Sequence, residues 1–279
     1  MIDFSSSNEL YASRDPALGI NLYRFDGLDI PFNPEWKNIG INLSGGADSS
    51  CLLMLLSKII VKTGSACRVH VVQHRRCWNI RPWQGPVALA VFNKFQELFP
   101  TIEYVRHTNF IPVSLEWGVL GPITKDDNGR DRSGDQMIVD EFNEFVMFNE
   151  KIDAMYNGTS RNPDVDFPGK MMNRELTPEE GLLRDIMFKK HKGLVILPFK
   201  FVRKDWIVAE YYRQGMQDLY NTTRSCEGSI GHDTSKEVVP TLDDYKPGMY
   251  IPLCNDCFWC LERNWADSKL QKTISQMTE

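Results

Sequence analysis

The chain has 279 residues, a formal net charge of −5, 42% apolar residues and 25% charged residues, the proportions of an ordinary globule large enough for one α/β domain or a main domain with a small addition. The acidic balance argues against a dedicated nucleic-acid binder and leaves small molecules as the expected partners, with a homodimer admitted. No window approaches the roughly 18–20 apolar residues that cross a bilayer, and "MIDFSSSNELYASRDP" has no basic start followed by an apolar stretch; the protein is expected in the cytoplasm, with its seven cysteines as thiols or metal ligands.

Residues 1–38 are rich in turn formers and read as short strands or an irregular lead-in. Regular alternation then begins. "IGINL" reads as an apolar strand, "SSCLLMLLSKIIVKTG" as a helix closed by Lys62 and Gly64, "CRVHVVQH" as a strand, "PVALAVFNKFQELFP" as a helix ended by Pro100, and "IEYVRHT" as a third strand. This order predicts a doubly wound α/β fold with a parallel sheet. Residues 112–135 interrupt it with a polar stretch dense in Gly and Asp, expected to be a lid or an excursion. A helix follows in "QMIVDEFNEFVMFNEKI", then a short strand and turn in "AMYNGTSRNP", then strand, turn and helix in "GLVILPFKFVRKDWIVAEYYRQGM". The alternation predicts a main domain over 39–220 and a small metal-binding addition over 221–279, where four of the seven cysteines lie.

The informative loop is "SGGADSS", Ser44 to Ser50, between the first regular strand and its helix. Open parallel sheets bind ligands beyond the carboxyl ends of their strands, and unpaired amides at a helix start attract anions. Gly45 and Gly46 admit close approach of the backbone, and the hydroxyls of Ser44, Ser49 and Ser50 can donate; a phosphate is the natural occupant. The loop lacks the lysine and length of a Walker loop and does not match G-x-G-x-x-G. It resembles the SGGxDS signature of the PP-loop ATP pyrophosphatases, which cleave ATP between the α- and β-phosphates. That resemblance implies ATP and Mg2+ as ligands and Ser44, Gly45, Gly46, Ala47, Asp48, Ser49 and Ser50 as ATP-binding residues, with Gly158 counted beside them. Asp48 either caps the loop's amides or helps place Mg2+. The plainer alternative is a tight turn with an N-cap.

Near the end, Cys254, Cys257 and Cys260 form C-x-x-C-x-x-C, and Cys226 offers a fourth sulfur. Four thiolates suit a closed tetrahedral Zn2+ site that pins down a short tail. An iron-sulfur cluster is the competing reading, with His232 as an alternative zinc ligand. Cys51 and Cys67 read as packed apolar residues, and Cys77 is left undecided.

Together with "PFKFVRKDWIVAEYYRQGMQDLYNTTRSC", in which Lys204 and Gly215 fall on the lysine and glycine of a corresponding block, these features resemble the 7-cyano-7-deazaguanine synthase family over about Ile39 to Arg263. The resemblance implies an ATP-dependent C–N ligase that adenylylates 7-carboxy-7-deazaguanine, substitutes ammonia and dehydrates the amide to a nitrile. It casts Asp48, Ser49 and Lys204 as catalytic, with Lys204 either neutralising phosphate charge or serving as a surface residue. Gln73, His74 and Arg75 are cast as substrate-binding residues. They open "QHRRCWNIRPW", whose basic and aromatic residues would grip a planar acid or else pack as a surface loop. The family's Gly-Gln-Arg-His and glutamate are not reproduced here, and the first cysteine spacer is longer. Two other functions stand beside this one: a PP-loop enzyme thiolating a tRNA base, and a nucleotide-binding module without catalysis.

Overall fold

The computed structural model describes residues 19–76, 84–111, 124–125, 131–132, 134–163, 167, 183–187, 192–226, 255 and 257–278. Cys77, His232, Cys254, the tryptophans Trp78 and Trp83 and most of 112–135 lie outside them.

The chain enters through a hairpin, β1 (Asn21–Phe25) and β2 (Leu28–Phe32). Every residue of β2 is buried, Asp29 included. That carboxylate is tolerable because Arg24, its cross-strand partner, grips it with two hydrogen bonds of 2.9 and 2.8 Å. Of the two readings of this lead-in, short strands or an irregular segment, the described residues form the strands.

The main sheet then builds in the expected alternation. β3 (Asn38–Asn42) leads into α1 (Ala47–Thr63), β4 (Arg68–Arg76) into α2 (Gln84–Leu98), and β5 (Tyr104–Ile111) follows. The short strands β6 (Thr124–Lys125) and β7 (Asp131–Arg132) pair antiparallel within the polar stretch. After α3 (Gly134–Asn149) come β8 (Ala154–Tyr156), β9 (Leu183–Met187) and β10 (Lys192–Ile196). The helices α4 (Lys204–Arg213), α5 (Gln217–Thr222) and α6 (Phe258–Thr278) complete the described elements.

The sheet order is β5-β4-β3-β8-β10-β9. Five of the strands run parallel, and β9 joins β10 antiparallel at the edge. Strand β9 was not expected, because its "LRDIM" has neither clean alternation nor turn residues that would mark it. Both faces of the sheet are covered. Ile39, Ile41, Val69, Val71, Ala154 and Tyr156 face the larger core with α1, α2 and α4, whereas Val72 and Met155 face a smaller one with Val146 and Met147 of α3. Helix α1 has no polar stripe after its first turn, and correspondingly most of it is buried. α6 is tied to the same core, with Ala266 fully buried and Trp265 and Leu270 packed against it. No described helix is long and apolar enough to cross a membrane.

Strand order reverses between β3 and β8. The chain steps outward from β3 through β4 to β5, then returns to β8 on the other side of β3. The carboxyl ends of β3 and β8 therefore flank the switch point at which such sheets open a crevice.

Candidate active site

A cavity of about 230 Å3 occupies that crevice. Its wall includes Ser44, Gly46, Asp48 and Ser49 from the turn after β3, Asn157, Gly158 and Thr159 after β8, Lys204 at the start of α4, and Arg224, Ser225, Cys226 and Trp259 from the cysteine-bearing segments.

The first turn is tight by construction. Gly45 holds φ at 77°, and a β-carbon there would stand 2.8 Å from the Ala88 nitrogen of α2, so the position requires glycine on both counts. Ser49 Oγ lies 3.3 Å from the Ser44 nitrogen and 3.2 Å from Ser44 Oγ, closing the turn around the cavity edge. Ser50 departs from expectation. Its hydroxyl donates to the Gly46 carbonyl at 2.8 Å and is fully buried, so it braces the helix start and does not border the cavity. Ala47 is buried too, contributing its backbone N–H to Ser225 Oγ at 3.4 Å.

Asp48 does not cap the loop. The N-cap of α1 is Gly46, without a side-chain hydrogen bond. One carboxylate oxygen of Asp48 takes the Lys204 ammonium in a very short contact, and the other accepts from Ser160 Oγ at 3.0 Å. Lys204 is only 1% exposed and has a second carboxylate, Glu262 of α6, at 3.7 Å. This excludes the surface-residue alternative for Lys204. One buried ammonium between two acidic groups holds α1, α4 and α6 around the cavity floor.

The β8 turn meets this arrangement from the far side. Asn157 Oδ1 accepts from the Thr159 amide at 2.9 Å and from its hydroxyl at 2.7 Å, which folds "NGTS" back on itself. A β-carbon on Gly158 would sit 2.8 Å from Ser49 Cα and 2.9 Å from the Ser49 nitrogen. Gly158→Ala must therefore push this turn away from the start of α1. We expect a stability loss of about 1–3 kcal/mol, as for other overpacked contacts; an unchanged midpoint in denaturant unfolding would refute this close approach of the two turns.

The three residues assigned to a second substrate lie elsewhere. Gln73 is buried and donates to the Ala88 carbonyl at 2.8 Å, tying β4 to α2. His74 is held between Asn42 Oδ1 and Asn109 Nδ2, each at 3.2 Å, with its ring edge-on to Phe142. Arg75 stacks over Phe110, 5.2 Å from its centroid. None of the three is among the residues that border the cavity. Asn42 is, so His74 stands one side chain behind it.

The cysteines stand beside the cavity. Cys226, Cys257 and Cys260 bring their sulfurs within 4.8 Å of one another, an arrangement fit for a metal ion. Burial is the main reason that the Cys260 thiol is pushed up to about 11, so without a cation Cys260 is a protonated thiol at pH 7. Cys226 also borders the cavity, which the sequence did not suggest. Its lead-in is fastened to the phosphate-type turn: the Arg224 N–H donates to the Gly45 carbonyl at 2.8 Å. Arg263, three residues past Cys260, is buried and donates to the carbonyls of Thr223 at 2.9 Å and Tyr220 at 3.0 Å.

Solved structures similar to the chain include the following two. One is the U34-tRNA thiolase NcsA from Methanococcus maripaludis with its 4Fe-4S cluster, 15% identical with a TM-score of 0.40, covering 86% of this chain and 68% of that one. The other is phosphoadenylyl-sulfate reductase from Candida auris in a phosphate complex, 9% identical with a TM-score of 0.36, covering 66% and 74%. Likeness at this level assigns neither activity nor ligand. No protein-family model matches the chain, and no curated protein matches it.

Proposed function

We propose that the chain is a PP-loop ATP pyrophosphatase, which splits ATP between the α- and β-phosphates, passes AMP to an acceptor oxygen and releases pyrophosphate. The observation that carries this reading is the meeting of the "SGGADSS" turn, the Gly158 turn and the buried Lys204 on one cavity at the switch point of the sheet. Amides at the start of α1 and the hydroxyls of Ser44 and Ser49 supply fixed donors for the departing pyrophosphate, and Lys204 holds the Asp48 carboxylate in place beside them. Asp48 is a carboxylate bordering the cavity and would hold the Mg2+ that neutralises the triphosphate.

For the acceptor, the sequence resemblance supports a carboxylate, 7-carboxy-7-deazaguanine, with ammonia as nucleophile and a nitrile as the final product. A carboxylate is a poor electrophile until its oxygen becomes part of a good leaving group, which adenylylation achieves. Asn42, Asn157 and Trp259 offer amide groups and an aromatic face at the cavity for a heterocyclic acid. A second reading, thiolation of a tRNA base, is favoured by one observation: Cys226 belongs both to the cysteine cluster and to the cavity wall.

The cysteines themselves favour a single Zn2+, with Cys254 as the fourth ligand. Thiolates on a tetrahedral ion with Zn–S bonds of about 2.3 Å stand about 3.8 Å apart. A four-iron cube puts each thiolate on a different iron and spreads them wider than the 4.8 Å limit found here.

The deciding assay incubates the protein with Mg2+-ATP and candidate acceptors and separates the nucleotides. AMP and pyrophosphate, formed only with 7-carboxy-7-deazaguanine and ammonia, are expected. ADP as the product overturns the scheme, and AMP formation dependent on tRNA selects the second reading.

A further inference from the structure

The sheet carries a second set of ligating groups, on the face covered by α3. His70 of β4, His107 of β5 and Glu150, just past α3, bring two ring nitrogens and a carboxylate oxygen within 4.8 Å of one another. His70 Nδ1 lies 2.9 Å from His107 Nε2 and 3.9 Å from Glu150 Oε2. The rings are stacked, with centroids 5.2 Å apart and planes at 13°.

His70 is oriented from behind. Its Nε2 lies 3.2 Å from Asn38 Oδ1, an oxygen that only accepts, so the ring proton sits on Nε2 and Nδ1 presents a lone pair toward His107 and Glu150. Glu150 is equally fixed in place. The backbone beneath it is pinned by Glu150 N–H to Val146 O at 3.0 Å, Ile152 N–H to Met147 O at 3.0 Å and Asp153 N–H to Asn38 O at 2.8 Å. Asp153 in turn accepts from the Lys37 and Asn38 amides at 2.8 and 3.0 Å.

A hydrogen bond between the two imidazoles satisfies one nitrogen of each and leaves the carboxylate unexplained. The neighbouring Arg68 is engaged by Glu103 at 2.7 Å. A cation between the three groups accounts for all of them.

We propose that His70 Nδ1, His107 Nε2 and Glu150 Oε2 bind a divalent transition-metal ion of the zinc class. Two imidazoles and one carboxylate form a donor set that suits Zn2+ and its neighbours and is too rich in nitrogen for Mg2+ or Ca2+. Two nitrogens on a tetrahedral ion lie about 3.3 Å apart, so the ion takes the place of the proton between the rings and opens their 2.9 Å contact, the His107 proton moving to Nδ1. Glu150 is 39% exposed, which gives the ion a route in and leaves a coordination position for water on that side. Asn38 is a positioning residue for His70. The site ties β4 and β5 to the end of α3 and is independent of the cysteine cluster and of the ATP reading.

The test is a Co2+ titration of the metal-stripped full chain, followed by absorption. Thiolate ligation gives intense charge-transfer bands, whereas a nitrogen and oxygen site gives only weak d–d bands. One Co2+ per chain is expected to bind with d–d bands and no charge transfer, whatever the cysteines take up. Glu150→Gln and His107→Ala are each expected to abolish that ion while leaving the charge-transfer signal unchanged, and Asn38→Ala weakens it by about tenfold. Glu150→Gln alters a partly exposed side chain and decides the matter if His107→Ala fails to fold. A wild-type chain without a non-thiolate ion, or one that keeps it in Glu150→Gln, overturns the proposal.

Discussion

Lys204→Met is expected to cost about 3–5 kcal/mol of stability, the range found when one partner of a buried ion pair is removed, and to reduce AMP and pyrophosphate formation by at least a hundredfold. The lysine is 1% exposed and lies between Asp48 and Glu262, themselves 15% and 0% exposed. Taking away the ammonium leaves two carboxylates facing each other in a poorly solvated space, and one of them must take up a proton or the helices must part. Asp48→Asn is the milder companion. It keeps Lys204 paired with Glu262, so the expected loss is about 1.5–3 kcal/mol, that of one charged hydrogen bond. Its activity is still expected to fall by about 10²–10³, as when one preorganised electrostatic group is lost. Denaturant unfolding and the AMP assay on both variants separate the two effects. Equal stability losses would show that Glu262 does not share the charge, and an Asp48→Asn enzyme with full activity would remove Asp48 from the chemistry.

How much of this was legible in the sequence depends on distance along the chain. The strand-to-helix context of "SGGADSS" is local, and the alternation of apolar runs that predicts a parallel sheet is repeated often enough to read. The cavity's electrostatics are not local. Lys204 and Asp48 are 156 residues apart and meet only because α4 packs on α1. Glu262 sits in an ordinary charged helical stretch, "CLERNW", with no mark that it would be fully buried. Gln73 matches the glutamine of the family resemblance, but in the fold its side chain reaches the Ala88 carbonyl of α2, a partner that no local pattern announces. The same holds for Ser50, whose hydroxyl serves its own helix. Arg224 and Ser225, by contrast, precede the first cysteine directly, and their role at the cavity follows only when the turn after β3 is seen to lie against them.

Cys257→Ser is expected to lower the bound metal by about one ion per chain and to weaken ATP binding by about tenfold although Cys257 itself does not border the cavity. The argument runs through the segment from Thr223 to Cys226. That segment is held at one end by Arg263 and at the other by the sulfur cluster, and between them the Arg224 N–H and Ser225 Oγ are bonded to Gly45 and Ala47 of the phosphate-type turn. Without an ion the Cys260 thiol is protonated, and weakly bonded sulfur groups replace a set of strong ligand bonds. The Arg263 anchor remains, so the chain still folds, with a stability loss of about 2–4 kcal/mol, well below the 10–16 kcal/mol of zinc-finger peptides that have no other core. The Arg224 and Ser225 contacts with the turn then loosen, and the cavity loses a wall. Metal analysis, thermal unfolding and nucleotide titration on the same preparation test the chain of causes in order. An ion-free protein that unfolds earlier yet binds ATP with unchanged affinity would reduce the cluster to a clamp on α6 and break the proposed connection to the site.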